Sequence, residues 1–255
     1  MEKFIVDEGK QFDFGKTSKQ YAKYRDIYPK ELFQKIYEIG IGTKGSRWLD
    51  LGTGTGVIPR GMAKYGADIV ATDISENQIA EAKELSKGMD NIEYTVLSAE
   101  DINFPENSFD AITACMCFWY FDPNIIVEKI KKMLRPGGIF LKVYMSYIKE
   151  EVITQDSNRL VKKINNSWNG AAPALKDLTT HYFEEPHMDS MIVELPFTRE
   201  TWHGRMMASR GVMASMNEEQ IALFDKEHRK MLEEKYPEEF TIKHKIFLTW
   251  YRMKK

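Results

Sequence analysis

A doubly wound α/β fold is what this 255-residue sequence predicts. Three observations carry the prediction. Short apolar runs alternate with longer stretches of helical periodicity, the order that builds a mostly parallel sheet covered by helices. One apolar run, Trp48-Leu49-Asp50-Leu51, breaks into Gly52-Thr53-Gly54-Thr55-Gly56, three glycines at alternating positions ahead of a helical stretch. The next apolar run ends on an acid, Asp73, seventeen residues beyond Gly56. Glycine admits positive φ and carries no Cβ, and a helix start offers unpaired N–H groups, so the turn is one that a nucleoside-type ligand approaches closely.

In chain order, Phe12, Phe14, Tyr21, Tyr24, Ile27 and Tyr28 make an aromatic-rich flap, and Pro29 breaks it ahead of Leu32, Phe33, Ile36, Tyr37 and Ile39 at helical spacing. Residues 1–40 are expected to form a helical lid, and 41–255 a single domain with cap insertions at about 146–187 and 197–216. After the glycine turn, 57–65 reads as a helix that Gly66 ends, 68–72 as a strand finishing at Asp73, and 76–87 as a helix that Asp73 is placed to cap. A strand at 92–97 leads to Ser98-Ala99-Glu100-Asp101. Asn107-Ser108-Phe109-Asp110 turns into an apolar strand at 111–117, as expected of a central parallel strand. Phe118-Trp119-Tyr120-Phe121 follows, then Ile125, Ile126, Ile130, Met133 and Leu134 on one helical face. In Arg135-Pro136-Gly137-Gly138 the glycines are expected to stop that helix and turn the chain into a strand at 139–144. Farther on, the pattern gives helices at 150–164, 174–180 and 217–236, a loop at 165–173 carrying Trp168, and strands at 188–195 and 240–251.

Composition narrows the partners. With 36 basic and 38 acidic residues the net charge is −2, so no overall field draws the chain to nucleic acid or an anionic bilayer. The longest apolar run, 111–121, is short of the about 20 residues that span a membrane, and the first residues show no apolar leader, which reads as a cytoplasmic protein. Cys115 and Cys117 are expected as buried free thiols on one face of their strand, without a disulfide or metal role.

Glycine spacing separates cofactor classes. A dinucleotide fingerprint places glycines at its first, third and sixth positions, but the sixth position here is Val57 or Pro59, depending on the frame. Asp50-x-Gly52-x-Gly54-x-Gly56 instead resembles the first motif of the class I S-adenosylmethionine-dependent methyltransferases. Asp73 resembles the acid that takes the ribose hydroxyls, Ala99-Glu100 the adenine motif, and Leu134-Arg135-Pro136-Gly137-Gly138 the late signature of that superfamily. Tyr21-Ala22-Lys23-Tyr24-Arg25-Asp26-Ile27-Tyr28-Pro29 is similar to the segment ahead of the first motif in trans-aconitate-methyltransferase-like enzymes of the type 11 small-molecule group, with Asp26 where many relatives have proline. The resemblance covers about 21–144 and implies a Rossmann-like sheet of seven strands with the last one antiparallel. It implies S-adenosylmethionine as donor, S-adenosylhomocysteine as product, and cofactor contacts from Tyr21, Arg25, Asp50, Gly52, Thr53, Gly54, Gly56, Asp73, Ile74, Ala99, Glu100, Cys115 and Cys117. No metal is implied, and a monomer or homodimer is expected.

Methyl transfer from a sulfonium needs alignment, exclusion of water and, for a protonated nucleophile, a base. The segment 197–211 is basic, aromatic and methionine-rich, and supplies Trp202, His203, Arg205 and Arg210. Arg205 or Arg210 suits a small carboxylate that needs no base, whereas His203, His181 or His187 suits a hydroxyl, amine or thiol. Trp202, His203 and Arg210 are the expected acceptor-side residues. Two other classes stay open, a nicotinamide-dependent oxidoreductase and a non-catalytic S-adenosylmethionine-binding protein.

Overall fold

The computed structural model describes residue 7, residues 12–170, residue 183 and residues 185–254. Its sheet has seven strands in the order β3-β2-β1-β4-β5-β7-β6. These are β1 (Arg47–Leu51), β2 (Asp68–Asp73), β3 (Ile92–Val96), β4 (Phe109–Cys115), β5 (Leu134–Tyr147), β6 (His187–Thr198) and β7 (Glu239–Arg252). β1 to β5 pair in parallel, while β7 runs antiparallel between β5 and β6. The helices are α1 (Ser18–Tyr24), α2 (Lys30–Ile39), α3 (Val57–Met62), α4 (Glu76–Leu85), α5 (Pro123–Met133), α6 (Val152–Ile164), α7 (Arg199–Met207) and α8 (Glu218–Lys235). The expected helix at 174–180 lies outside the described residues. No described helix is long and apolar enough to cross a membrane.

Alternation along the strands creates two cores. Trp48, Ile69, Ala111 and Leu141 face one side with Leu32 and Ile36 of α2, whereas Leu49, Val70, Ile112 and Phe140 face the other with Ile126 and Ile130 of α5. α2, expected within the lid, thus buries one face in the main core. Ahead of α1, Phe14 and Gly15 are pinned to α4, where the Gln78 side-chain amide donates to Phe14 O at 3.0 Å and that of Asn77 to Gly15 O at 3.2 Å.

Chain order reverses between β1 and β4, so their carboxyl ends open a crevice where a doubly wound sheet binds ligands. Two expectations change there. β4 ends at Cys115, and Met116 takes φ 58°, so Cys117 leaves the strand and its thiol donates to Leu51 O at 3.1 Å. The two thiols therefore do not share a strand face. α5 stops at Met133 because Leu134 is already extended ahead of Pro136, so the glycines do not end the helix. Gly137, at φ 79°, turns the chain within the start of β5. β5 and β7 run on well past the parallel sheet, so the expected cap insertion from 146 begins as strand.

Candidate active site

A cavity of about 430 Å³ fills the crevice. Gly52 and Gly54 line its floor at φ 60° and 58°. A Cβ on Gly52 would stand 2.8 Å from the Cys117 sulfur, whereas one on Gly54 would meet nothing nearer than Gln78 Oε1 at 3.8 Å. Gly56, at φ 75°, is not among the lining residues; its missing Cβ makes room for the Tyr94 ring at the start of α3. Thr53 and Asp50 also lie behind the lining. Asp50, 1% exposed, accepts from the Thr113 hydroxyl, whose oxygen takes the Trp48 indole N–H at 2.8 Å. Burial pushes its carboxyl up to about 6 against the hydrogen bonds from Thr113 and Thr53.

Asp73 closes one end of the cavity. Its Oδ2 accepts from Gly54 N at 2.8 Å and its Oδ1 from Ser75 N at 2.9 Å, which ties the tip of β2 to the glycine turn. Burial raises its pKa against those two bonds. Ile74 and Ala99 line the same end, as do Cys115 and Cys117, whose thiols burial holds well above their ordinary range. Glu100 lines it too and is already engaged, accepting from Ser98 Oγ at 2.9 Å and from Asp122 N at 2.8 Å. It fixes the aromatic loop 118–121 as much as it faces a ligand. Gln78 was missed by the sequence reading; it is 2% exposed, lines the cavity and keeps its Oε1 without a partner among the described residues.

The other end is aromatic and basic. Tyr21, Trp119, Tyr120, Tyr144, Tyr147 and Trp168 line it with Arg25, Arg205 and Arg210. Arg210 is held in place: its guanidinium lies 2.9 Å from Asp7, in ion-pair contact though not aligned for a hydrogen bond, and it donates to Gly170 O at 2.5 Å. Arg205, 6% exposed, has an unpartnered Nε and stands over the Tyr147 and Trp202 rings at 5.0 and 5.6 Å. Burial, and then Arg25 nearby, push its pKa down to about 9.

Trp202 and His203 share α7 with Arg205 but do not reach the cavity. Trp202 is wholly buried, and its indole N–H donates to Ser157 Oγ at 3.0 Å. His203 is 2% exposed, with Nε2 2.9 Å from Asp225 and Nδ1 2.9 Å from His228 Nδ1. His228 Nε2 meets Ser157 Oγ at 2.9 Å. With His203 donating to Asp225, His228 donates to His203 and its Nε2 is left to accept from the Ser157 hydroxyl, which also lies 2.8 Å from Ile153 O. Both imidazoles are then neutral, in keeping with burial lowering both pKa values, that of His228 to about 3. The ring expected as a base is thus committed to a structural chain on the far side of α7. His187 stacks on Trp250 at the start of β6, outside the lining, and His181 is not among the described residues.

From Trp202 to Met206 α7 is buried all round because α1 covers a further face, where a Cβ on Gly204 would lie 2.5 Å from the Tyr24 ring. No periodicity in its sequence distinguishes the side toward the cavity from the side toward α8.

Residues 49–141 match the methyltransferase domain family. A Dictyostelium discoideum protein named as a methyltransferase is 32% identical over 125 residues, 49% of this chain and 46% of its own length. The demethylmenaquinone methyltransferase of Clavibacter sepedonicus is 34% identical over 95 residues, 37% of this chain and 39% of its own length. The chain thus spans less than half the length of these curated relatives. Among solved structures, a Type II methyltransferase from Anaeromyxobacter dehalogenans superposes with a TM-score of 0.65 at 20% identity, covering 90% of this chain and 98% of that one. A Haemonchus contortus phosphoethanolamine N-methyltransferase, solved with S-adenosylhomocysteine, gives 0.54 at 18% identity, covering 88% of this chain and 53% of that one. These two show the fold, and the sequence match lies on the half of the sheet that carries the glycine turn and Asp73. The similarity of this chain to methyltransferases in sequence thus rests on residues 49–141.

Proposed function

We propose that the protein transfers the methyl group of S-adenosylmethionine to a small carboxylic acid. The observation that carries the cofactor reading is the Asp73 carboxylate bound to Gly54 N, facing a cavity where Gln78 Oε1 is buried without a partner. A nucleoside fits this donor set: Asp73 and Gln78 would accept from ribose hydroxyls, and the Ala99 and Glu100 loop would edge the base. The open face of Gly54 would lie against the amino-acid end. When bound, S-adenosylmethionine supplies an electrophilic methyl on a sulfonium, a cation that the neighbouring tyrosine and tryptophan rings attract by roughly 0.5–2 kcal/mol. The segment 12–17, fastened to α4, would cover the donor and exclude water.

No histidine lines the cavity among the described residues, and burial holds the Tyr144 and Tyr147 hydroxyls above their ordinary range, so they stay protonated. An acceptor that arrives ionised needs no base, and the basic end of the cavity suits a carboxylate. In calorimetry the unmutated protein should bind S-adenosylhomocysteine in the micromolar range and Asp73→Ala should not. No binding by the unmutated chain would refute the cofactor reading and return weight to a nicotinamide enzyme.

A further inference from the structure

The electrostatics of α7 carry one step more, resting on the methyl-transfer reading above. Arg205 is 6% exposed, its Nε has no partner among the described residues, and the charged group acting most strongly on it is the like-charged Arg25. Arg25, the like charge beside it, lies over the Tyr21 ring at 4.9 Å and lines the same cavity. Burying a guanidinium without an anion is costly, and two ring faces offset only part of that cost. The third arginine differs: Arg210 already has Asp7. A buried guanidinium with an open Nε, beside a second cation that lines the same cavity, calls for an anion from the ligand.

We infer that Arg205, flanked by Arg25, clamps an anionic group of the acceptor that is not the group methylated, so the acceptor has at least two functions and the product keeps a negative charge. The reason is differential binding. When an anionic oxygen takes the methyl, its lone pair forms the new carbon–oxygen bond while the carbon–sulfur pair passes to sulfur, and the oxygen loses its charge. A guanidinium on that oxygen would hold the ground state more tightly than the transition state and slow the reaction. The same guanidinium on a distant anion binds both states equally and acts as an anchor. Arg205 is therefore a positioning and specificity residue, and the reacting atom of the acceptor lies away from it.

The test uses the full chain, loaded with S-adenosylhomocysteine, as wild type, Arg205→Gln and Arg205→Lys. Succinate, malate, 4-hydroxybenzoate and anthranilate are titrated by calorimetry beside their methyl esters. Acids are expected to bind, about tenfold or more weakly in Arg205→Gln, with partial recovery in Arg205→Lys. Fully esterified probes should not bind, and affinity for S-adenosylhomocysteine should be the same in all three proteins, which separates loss of the clamp from loss of the fold. With methyl-labelled donor and a metabolite extract, the labelled product should be retained on an anion exchanger at neutral pH. Absence of acid binding across the panel, equal binding by Arg205→Gln, or a labelled product that passes the exchanger uncharged overturns the inference. Failure of the unmutated protein to bind S-adenosylhomocysteine overturns instead the methyl-transfer reading on which it rests.

Discussion

Lowering the pH from 7 to 5 should destabilise this protein by an amount set mainly by two histidines. His228 and His244 are both wholly buried, and burial pushes each down to about 3 from the ordinary 6.5. The unfolded chain protonates them near 6.5 while the folded chain does not. The unfolded state thus binds more protons between about 3 and 6.5, and stability falls as pH falls through that window. From pH 7 to 5 each costs about 2 kcal/mol. Asp50 works the other way, because its folded pKa of about 6 lies above the ordinary 3.8, so the folded state takes the proton first and gains about 1 kcal/mol over the same interval. These three groups together give a loss of about 2–3 kcal/mol, a large share of a typical 5–15 kcal/mol, and beside them the lowered His203 and the raised Asp73 act in opposite directions. Carboxylates whose pKa is lowered, such as Asp156 and Glu200, lose their contribution mostly below this range. Urea unfolding followed by tryptophan fluorescence at pH 7, 6 and 5 measures the slope. His244→Phe supplies the control: His244 Nε2 has no partner and its ring stacks on Phe197 at 5.9 Å, so the substitution removes a titrating group while keeping the stack. Its loss between pH 7 and 5 should be about 2 kcal/mol smaller than that of the wild type. Stability that is flat or rising toward pH 5, or a loss in His244→Phe equal to that of the wild type, would refute the reasoning.

Further predictions concern the floor of the cavity and α7. Gly52→Ala combines φ 60° with a Cβ 2.8 Å from the Cys117 sulfur, so it should cost roughly 1–3 kcal/mol in thermal unfolding and weaken S-adenosylhomocysteine binding. Gly45→Ala, at φ 79° with nothing within 4 Å, should carry only the backbone strain, about 1 kcal/mol, and leave binding unchanged. Trp202→Ala removes a wholly buried indole and should cost about 3–5 kcal/mol. Trp202→Phe should cost less and keep cofactor affinity in calorimetry, since the ring lies outside the cavity lining; a large fall in affinity at normal stability would place it in the site after all.

The features readable from the sequence are those written locally. Gly52 and Gly54 announce a turn through their lack of Cβ, Asp73 ends an apolar run at a fixed distance beyond it, and the order of strands and helices shows as a change of hydrophobic period. Their geometry follows from neighbours a few residues away, and the parallel pairing of β1 to β5 arises because each intervening helix must cross back over the sheet. The expectations that the structure changes lie where distant segments meet. Cys117 leaves the strand because Met116 turns at positive φ, and Glu100 is engaged by the loop after β4. α7 is the clearest case: Trp202, His203 and Arg205 fall within one turn, and all three are chemically fit for a site. Only the assembled structure separates them. β5 extends under α7 and brings Tyr147 to Arg205, α6 and α8 bring Ser157 and His228 to Trp202 and His203, and α1 closes the remaining face. By itself the sequence determined that a glycine turn follows β1 and that an acid ends β2, because short-range backbone chemistry dictates both. The tertiary structure alone decided which cation looks into the cavity and which imidazole is sealed behind it, because a helix buried on every side carries no hydrophobic period to point the way.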